Sequence, residues 1–332
     1  MALATLPILA MVPGDCTGIG PEQTARILHD GRMRDVARLV VVGDARVLEM
    51  GARQAGVELN YTRYDSPAAV DWSAPGVPLV DLGNTDPATF ELGVASPQSG
   101  KLTGDTLARA IDFAKAGEVD GVTFAPLNKQ AMFKGGWQFP DEHKMFAHLL
   151  QHTGPFSEMN VLEGQWMTRV TSHVSLRTAV EQVTFESVCR ALKLADETMR
   201  KAGMRVERGE GGLFGTEEIE IIRPAVEAMA KQGIDCTGPF PSDTVYLKAF
   251  AGDYDSVLAM YHDQGQIATK LKGFNKGVTI TAGLEVVFTT PAHGTAFDIV
   301  GKGIASVGAF ESAIQLAARV ASRKMEAQAS AA

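Results

Sequence analysis

Leu6-Pro7-Ile8-Leu9-Ala10-Met11-Val12-Pro13-Gly14-Asp15-Cys16-Thr17-Gly18-Ile19-Gly20-Pro21-Glu22 is the stretch on which the fold turns. Residues 6–12 are a short apolar run that ends at turn residues, the signature of a strand covered on both faces. Three glycines follow, which permit positive φ or a close backbone approach, and Pro21 suits the first turn of a helix over 21–29. A strand, a glycine-rich loop and a helix in that order are the opening of an α/β unit. The loop is neither a G-x-G-x-x-G fingerprint nor a Walker loop, since it lacks the Gly-Lys-Ser/Thr ending.

Working outward, the alternation continues. Residues 38–43 read as a second buried strand, 44–55 as a helix and 57–61 as a strand. Residues 62–100 are rich in Pro, Gly, Ser and Asp and read as irregular. A helix is expected over 106–116 and a strand over 121–125. Further helices are expected over 142–152, 184–202 and 216–232, and strands over 256–261, 278–281 and 286–290. A final helix spans 309–326, with 327–332 frayed. Strands that alternate with helices in this way form a largely parallel sheet.

The totals narrow the function. In 332 residues, 45% hydrophobic and 21% charged, there is room for two α/β lobes and no sign of disorder. Net charge is −8, and Lys and Arg form no run, which argues against nucleic acid or an anionic membrane as the main partner. A few local cations would still suffice for an anionic small molecule. Cys16, Cys189 and Cys236 are scattered and odd in number, so neither a disulfide framework nor a thiolate zinc site is expected. The N-terminus has no basic leader, and no apolar run nears the ~20 residues of a membrane helix. The expected location is cytoplasmic.

Five constellations carry chemistry. The first is the loop at 13–22, which taken alone reads first as a tight structural turn and second as an anion site at a helix N-terminus. The second, Tyr261-His262-Asp263-Gln264-Gly265, follows an apolar strand, and α/β proteins place ligands beyond the carboxyl ends of such strands. An imidazole beside a carboxylate there suits a divalent cation or proton transfer, or simply caps the next helix. Lys270 lies farther along that helix, where it can meet a substrate carboxylate or stand solvated. The third, Thr171-Ser172-His173, follows the alternating segment 166–170. The fourth, Thr290 to Gly303, is dense in glycine and includes His293, Gly294, Thr295 and Asp298, offering a ring, backbone amides and a carboxylate to a dinucleotide. The fifth, Ala125-Pro126-Leu127-Asn128-Lys129, sets an ammonium and an amide at another strand end.

The order of these motifs, with Gly238-Pro-Phe-Pro-Ser-Asp243-Thr244 between the third and the second, resembles the 4-hydroxythreonine-4-phosphate dehydrogenases over nearly the whole chain. The first and last motifs also look like the wider isocitrate and isopropylmalate dehydrogenase fold. The resemblance implies a two-lobed α/β/α sandwich, with a first lobe of 1–127 plus 285–332 and a second of 128–284 that carries the dimer contact. It implies a homodimer with an active site in the interlobe cleft, using NAD or NADP and a divalent metal (Zn, Mg, Mn or Co). The reaction it implies is oxidation of a hydroxyl β to a carboxylate, followed by loss of CO2. Carried over by position, His173 and His262 are the metal ligands, and Lys129, Asp243 and Asp263 the catalytic groups. His143, Lys270, Thr279 and Phe288 fall at substrate positions, and His293, Gly294, Thr295 and Asp298 at the cofactor.

Departures from the family pattern bear on the substrate. The family's third metal histidine, in an Asn-Pro-His-x-Gly-Glu stretch, has no counterpart, because no histidine stands between His173 and His262. The chain runs from Met204 directly into Arg205-Val-Glu-Arg-Gly209, as if one strand were deleted. Thr279 replaces an asparagine, and Phe288 replaces an arginine, which removes a bidentate anion clamp. A different hydroxy acid, or a cyclic dihydrodiol carboxylate, suits Phe288 better than a phosphate ester. Two other readings stay open: a paralogue that lost catalysis with the deleted segment, and an acyltransferase on the same broad fold.

Overall fold

A computed structural model gives the structure and describes residues 6–202, 216–273 and 276–331. The chain divides into two compact units, residues 1–153 with 284–332, and residues 154–283. The expectation of a lost strand around 204–212 lies outside the described residues.

Unit 1 begins with β1 (Ile8–Val12), α1 (Gly20–Asp30), β2 (Arg38–Gly43), α2 (Ala45–Ala55), β3 (Tyr61–Tyr64) and β4 (Val77–Asp81). It continues with α3 (Pro97–Lys115), β5 (Gly121–Phe124), α4 (Lys129–Lys134) and α5 (Glu142–Leu149). The chain leaves for unit 2, which is built from β6 (Ser157–Leu162), β7 (Gln165–Arg169), α6 (Leu176–Gln182), α7 (Phe185–Ala202) and α8 (Arg223–Lys231). There follow α9 (Ser242–Ala251), β8 (Ser256–Ala259), α10 (His262–Gly273) and β9 (Val278–Ala282). The chain then returns to unit 1 as β10 (Val287–Pro291) and α11 (Gly308–Ala331).

In unit 1 the strand order is β3-β4-β2-β1-β5-β10, every pair parallel. The central strands β5 and β10 are buried residue by residue, as strands covered by helices on both faces must be. Phe146 of α5 stacks on Phe288 of β10 with ring centroids 4.2 Å apart and meets Phe124 of β5 edge-on at 5.5 Å, so these rings pin α5 to the sheet. In unit 2 the order is β9-β6-β7-β8, antiparallel except for β7 with β8.

Four expectations shift. The strand placed at 57–61 begins only at Tyr61, because Gly56 closes α2 in the left-handed region and residues 57–60 carry the chain across. Its partner β4 was hidden by Pro78 in a segment read as irregular. Helix α3 starts nine residues before 106, capped by Ser96. Gly100 and Gly104 look like breakers, but a Cβ on Gly100 would overlap the Ala131 backbone and one on Gly104 the Trp137 ring. Glycine is there to let α4 and Trp137 lie close, not to end the helix. Finally, α11 continues to Ala331, in keeping with the helix propensity of an Ala-rich tail. The first crossing between units falls after residue 153, and α4 and α5 pack on α3 within unit 1.

Candidate active site

In unit 2, parallel pairing sets the carboxyl ends of β7 and β8 side by side, with Arg169 opposite Ala259. The chain beyond each end is therefore held at its neighbour: the Thr171 amide and hydroxyl both donate to the Met260 carbonyl, at 3.3 and 3.1 Å. This brings His173 and His262 together, ring centroids 5.1 Å apart. Nδ1 of His262 lies 2.7 Å from Oδ1 of Asp263. A carboxylate only accepts, so Nδ1 carries a proton, and in the neutral ring Nε2 is the nitrogen with the lone pair. His173 sits at φ 53°, a left-handed conformation that a non-glycine residue adopts at some cost and that recurs at functional sites. A cleft of about 300 Å³ opens here, lined by Thr171, Ser172, His173, Leu176, His262 and Asp263 among others.

Beneath His173 lies a polar network that the sequence reading missed. Glu158 of β6 accepts from Arg169 of β7 at 2.9 Å, and its second oxygen is 3.5 Å from Nε2 of His173. The Arg169 guanidinium, nearly fully buried, also donates to Oδ1 of Asn160 at 2.9 Å. Asn160 accepts from Gln266 of α10 at 2.7 Å and donates to the Thr279 hydroxyl of β9 at 3.0 Å. Thr279 is thus enclosed in this network. Lys270 is exposed on α10, two turns beyond His262. Asp243 sits in the first turn of α9 and is not among the residues that line the cleft. The missed signal was period two: Glu158 and Asn160 face one side of β6, an unusual pair of polar residues in a buried strand.

The donor set can be weighed against a divalent cation. Two imidazoles on one tetrahedral ion, each nitrogen at ~2.1 Å, place their ring centres about 5 Å apart, which the observed separation matches. Among the described residues, however, no three His, Cys, Asp or Glu side chains converge on one point. The pair fits a cation whose remaining positions are filled by substrate or water. Burial pushes the Cys16 thiol up to about 12 and the Cys236 thiol to about 11, so these cysteines offer no thiolate near neutrality.

In unit 1 the glycine-rich loop proves to be a clasp. Its backbone is enclosed: a Cβ on Gly20 would overlap the Pro13 carbonyl. The Ile19 amide donates to the Thr295 carbonyl at 3.1 Å. From α1, the fully buried Glu22 accepts from the Ala305 amide at 2.9 Å, and Arg26 donates to the Gly303 carbonyl at 2.8 Å. Gln23 donates to the Ser306 carbonyl at 2.6 Å, and its Nε2 also lies 3.4 Å from Nε2 of His293. The other nitrogen of His293, Nδ1, is 3.0 Å from the Gly294 carbonyl and must be the protonated one. Burial also lowers the His293 pKa, so the ring is neutral with both nitrogens engaged. It can offer a flat face to a ligand, but not a proton.

Thr295 is buried and Asp298 exposed, with Gly294 open to solvent and Ala296 at φ 45° between them. The Lys129 ammonium is 2.7 Å from Oε2 of Glu142. His143 is buried beside Glu142 and edge-on to Phe146. Phe288 is only 1% exposed, inside the ring stack.

With that geometry in place, the comparison with known families is decisive. The family model described as pyridoxal phosphate biosynthetic protein PdxA matches residues 35–317. The chain belongs to the PdxA family. A Rhizobium meliloti (strain 1021) protein, provisionally named 4-hydroxythreonine-4-phosphate dehydrogenase 2, is 42% identical over 96% of this chain and 94% of its own. A solved 4-hydroxythreonine-4-phosphate dehydrogenase from Klebsiella pneumoniae is 35% identical, with TM-score 0.81 over 95% of this chain and 99% of its own. A terephthalate 1,2-cis-dihydrodiol dehydrogenase from Burkholderia xenovorans LB400 is 26% identical, with TM-score 0.64 over 94% of this chain and 98% of its own. This PdxA-family chain is an oxidoreductase that acts on a CH–OH group. Among its described residues, no helix is long and apolar enough to cross a membrane.

Proposed function

We propose that this PdxA-family protein oxidises the secondary hydroxyl of a variant hydroxy acid or a cyclic dihydrodiol carboxylate with NAD or NADP, aided by a divalent cation, and that the product then loses CO2. The observation that carries the site is the imidazole pair of His173 and His262 at the paired ends of β7 and β8. When bound, the cation would act as a Lewis acid that stabilises charge on the substrate oxygen. His262 brings its Nε2 lone pair, fixed in that tautomer by Asp263. Lys270 meets the substrate carboxylate, and Lys129 holds a proton on an ammonium oriented by Glu142. Asp243 is kept as a further acidic group of the same reaction. The 293–298 loop, clasped by α1, takes the cofactor, with the neutral His293 ring as a stacking face. Two copies of the chain form the working unit, with exposed Leu247, Ile267 and Leu271 of α9 and α10 as the apolar contact.

Charge supports a substrate without a phosphate. Among the described residues that line the cleft at His173 there is no Lys or Arg, the two lysines of this reading, Lys129 and Lys270, standing outside that lining, while Val174 and Leu176 present exposed apolar surface. Phe288 is locked in a ring stack and offers no anion clamp. Such a site favours a hydrocarbon body, as in a cyclic dihydrodiol carboxylate, over a phosphate ester. The phosphorylated alternative is favoured by the names of the nearer relatives.

Substrate-dependent NADH or NADPH formation separates the two. Turnover is expected with dihydrodiol carboxylates or other non-phosphorylated hydroxy acids, and 4-hydroxythreonine 4-phosphate should be poor. The reverse order would overturn the substrate reading. Before any substrate is known, saturating cofactor should raise the melting temperature by on the order of 5 °C, with a further rise when Mn²⁺ or Zn²⁺ is added. No shift with either would favour the paralogue without catalysis. Gln23→Leu removes one bond to the His293 ring and one to Ser306. It is expected to weaken cofactor binding about tenfold by calorimetry, the worth of one or two such bonds.

A further inference from the structure

We infer that Glu158 is a positioning residue for the cation site, the counterpart for His173 of what Asp263 is for His262. This rests on the reading that the two histidines share a cation. The four groups stand in a row: Glu158, His173, His262, Asp263. Oε2 of Glu158 is 3.5 Å from Nε2 of His173, the imidazole centroids are 5.1 Å apart, and Nδ1 of His262 is 2.7 Å from Oδ1 of Asp263. Each ring therefore has a carboxylate near one nitrogen, which leaves Nδ1 of His173 and Nε2 of His262 as the nitrogens a cation would take. A carboxylate behind a ligating imidazole fixes its tautomer and orientation and raises its basicity. With only two imidazoles converging, each ligand matters more than in a closed set of three or four donors.

Glu158 is itself held. Arg169 anchors its other oxygen at 2.9 Å and also binds Asn160, which ties to Gln266 one turn beyond His262 and to Thr279 on β9. Asn160 Nδ2 lies 3.3 Å from Oε1 of Glu158 as well, so the carboxylate is fixed from two sides. The side chain of His173 is 47% exposed, and its backbone is in the left-handed region. The ring thus needs a partner to hold it, and Glu158 is the group placed to do so. Gln266 joins the network to α10, so one set of hydrogen bonds spans both histidine-bearing segments.

The test is calorimetric titration of the purified, chelator-treated full-length protein with Mn²⁺ and Zn²⁺, alongside the absorption spectrum with Co²⁺. Glu158→Gln keeps the shape and is expected to weaken cation binding about 10- to 100-fold and to change the intensity of the Co²⁺ bands. Asp263→Asn should do the same. Because Glu158→Gln leaves Arg169 buried beside a neutral group, the double variant Glu158→Met with Arg169→Met serves as the folded control. It is expected to melt cooperatively and to bind as weakly as Glu158→Gln. If the wild type binds and both Glu158 variants bind equally well, the positioning role is overturned while the histidine pair stands. If the wild type binds none of the three cations, the shared-cation reading and this inference fall together.

Discussion

His262→Ala is expected to lower kcat/KM by on the order of 10³-fold while leaving the melting temperature within a few degrees of the parent. The side chain is partly exposed at the start of α10, so its removal opens no core cavity. What is lost is chemical: the lone pair at Nε2 and, with it, half of the imidazole pair. Groups that assist one transition state are worth about 10²- to 10⁴-fold each. His173→Ala should cost a similar factor, and the double variant little more than either single one, because residues that act as a unit are not additive. The measurement is steady-state turnover on whichever substrate the cofactor assay identifies. A His262→Ala enzyme with intact, cation-stimulated turnover would remove the site from the β7–β8 ends altogether.

Phe288→Arg is the second large effect, and it falls on stability. The substitution looks like a way to restore the anion clamp that the family resemblance implies at this position. In the structure, Phe288 pairs within β10 against β5 and stacks on Phe146 at 4.2 Å. Removing a fully buried aromatic ring costs about 3–5 kcal/mol. A guanidinium left unpaired in its place adds a desolvation penalty of several more. The variant is expected to unfold at much lower denaturant or fail to accumulate, and to gain no affinity for phosphate. A stable, phosphate-binding Phe288→Arg protein would show that the ring stack is dispensable and that the site reads phosphate after all. Phe288→Leu, which keeps the position apolar, should cost far less.

Those two outcomes also mark what was legible in the residues. The alternation of strand and helix could be read because buried parallel strands are apolar without interruption, as at 8–12, 38–43 and 121–124. The pairing of His173 with His262 could be anticipated only from the family resemblance, which implies both as metal ligands. What hid from sequence were features that depend on the partner. Strand β4 is written with a proline, and α3 with two glycines that only make sense beside Ala131 and Trp137. Glu158, Asn160 and Arg169 look like ordinary polar residues until β6 and β7 are laid antiparallel and the three side chains meet. Likewise, Gln23 acquires meaning only when residues 293 and 306 return to it from nearly three hundred residues away. The glycine-rich loop was open to two readings, and the enclosed backbone of Gly20 together with the bond from Ile19 to Thr295 favours the structural one.

The chain path of unit 1 has a consequence for biosynthesis. Its sheet is complete only when β10 pairs with β5, yet β10 is made after all of unit 2, more than 150 residues later. As the chain leaves the ribosome, unit 2 is continuous and can close on itself first, whereas β5 must wait with one edge open. An unpaired edge in a parallel sheet is slow to close and prone to pair with other chains. The five strands made early are thus the aggregation-sensitive part of this protein. Arrival of β10 and α11, which brings Phe288 onto Phe146, is the step that ends that exposure.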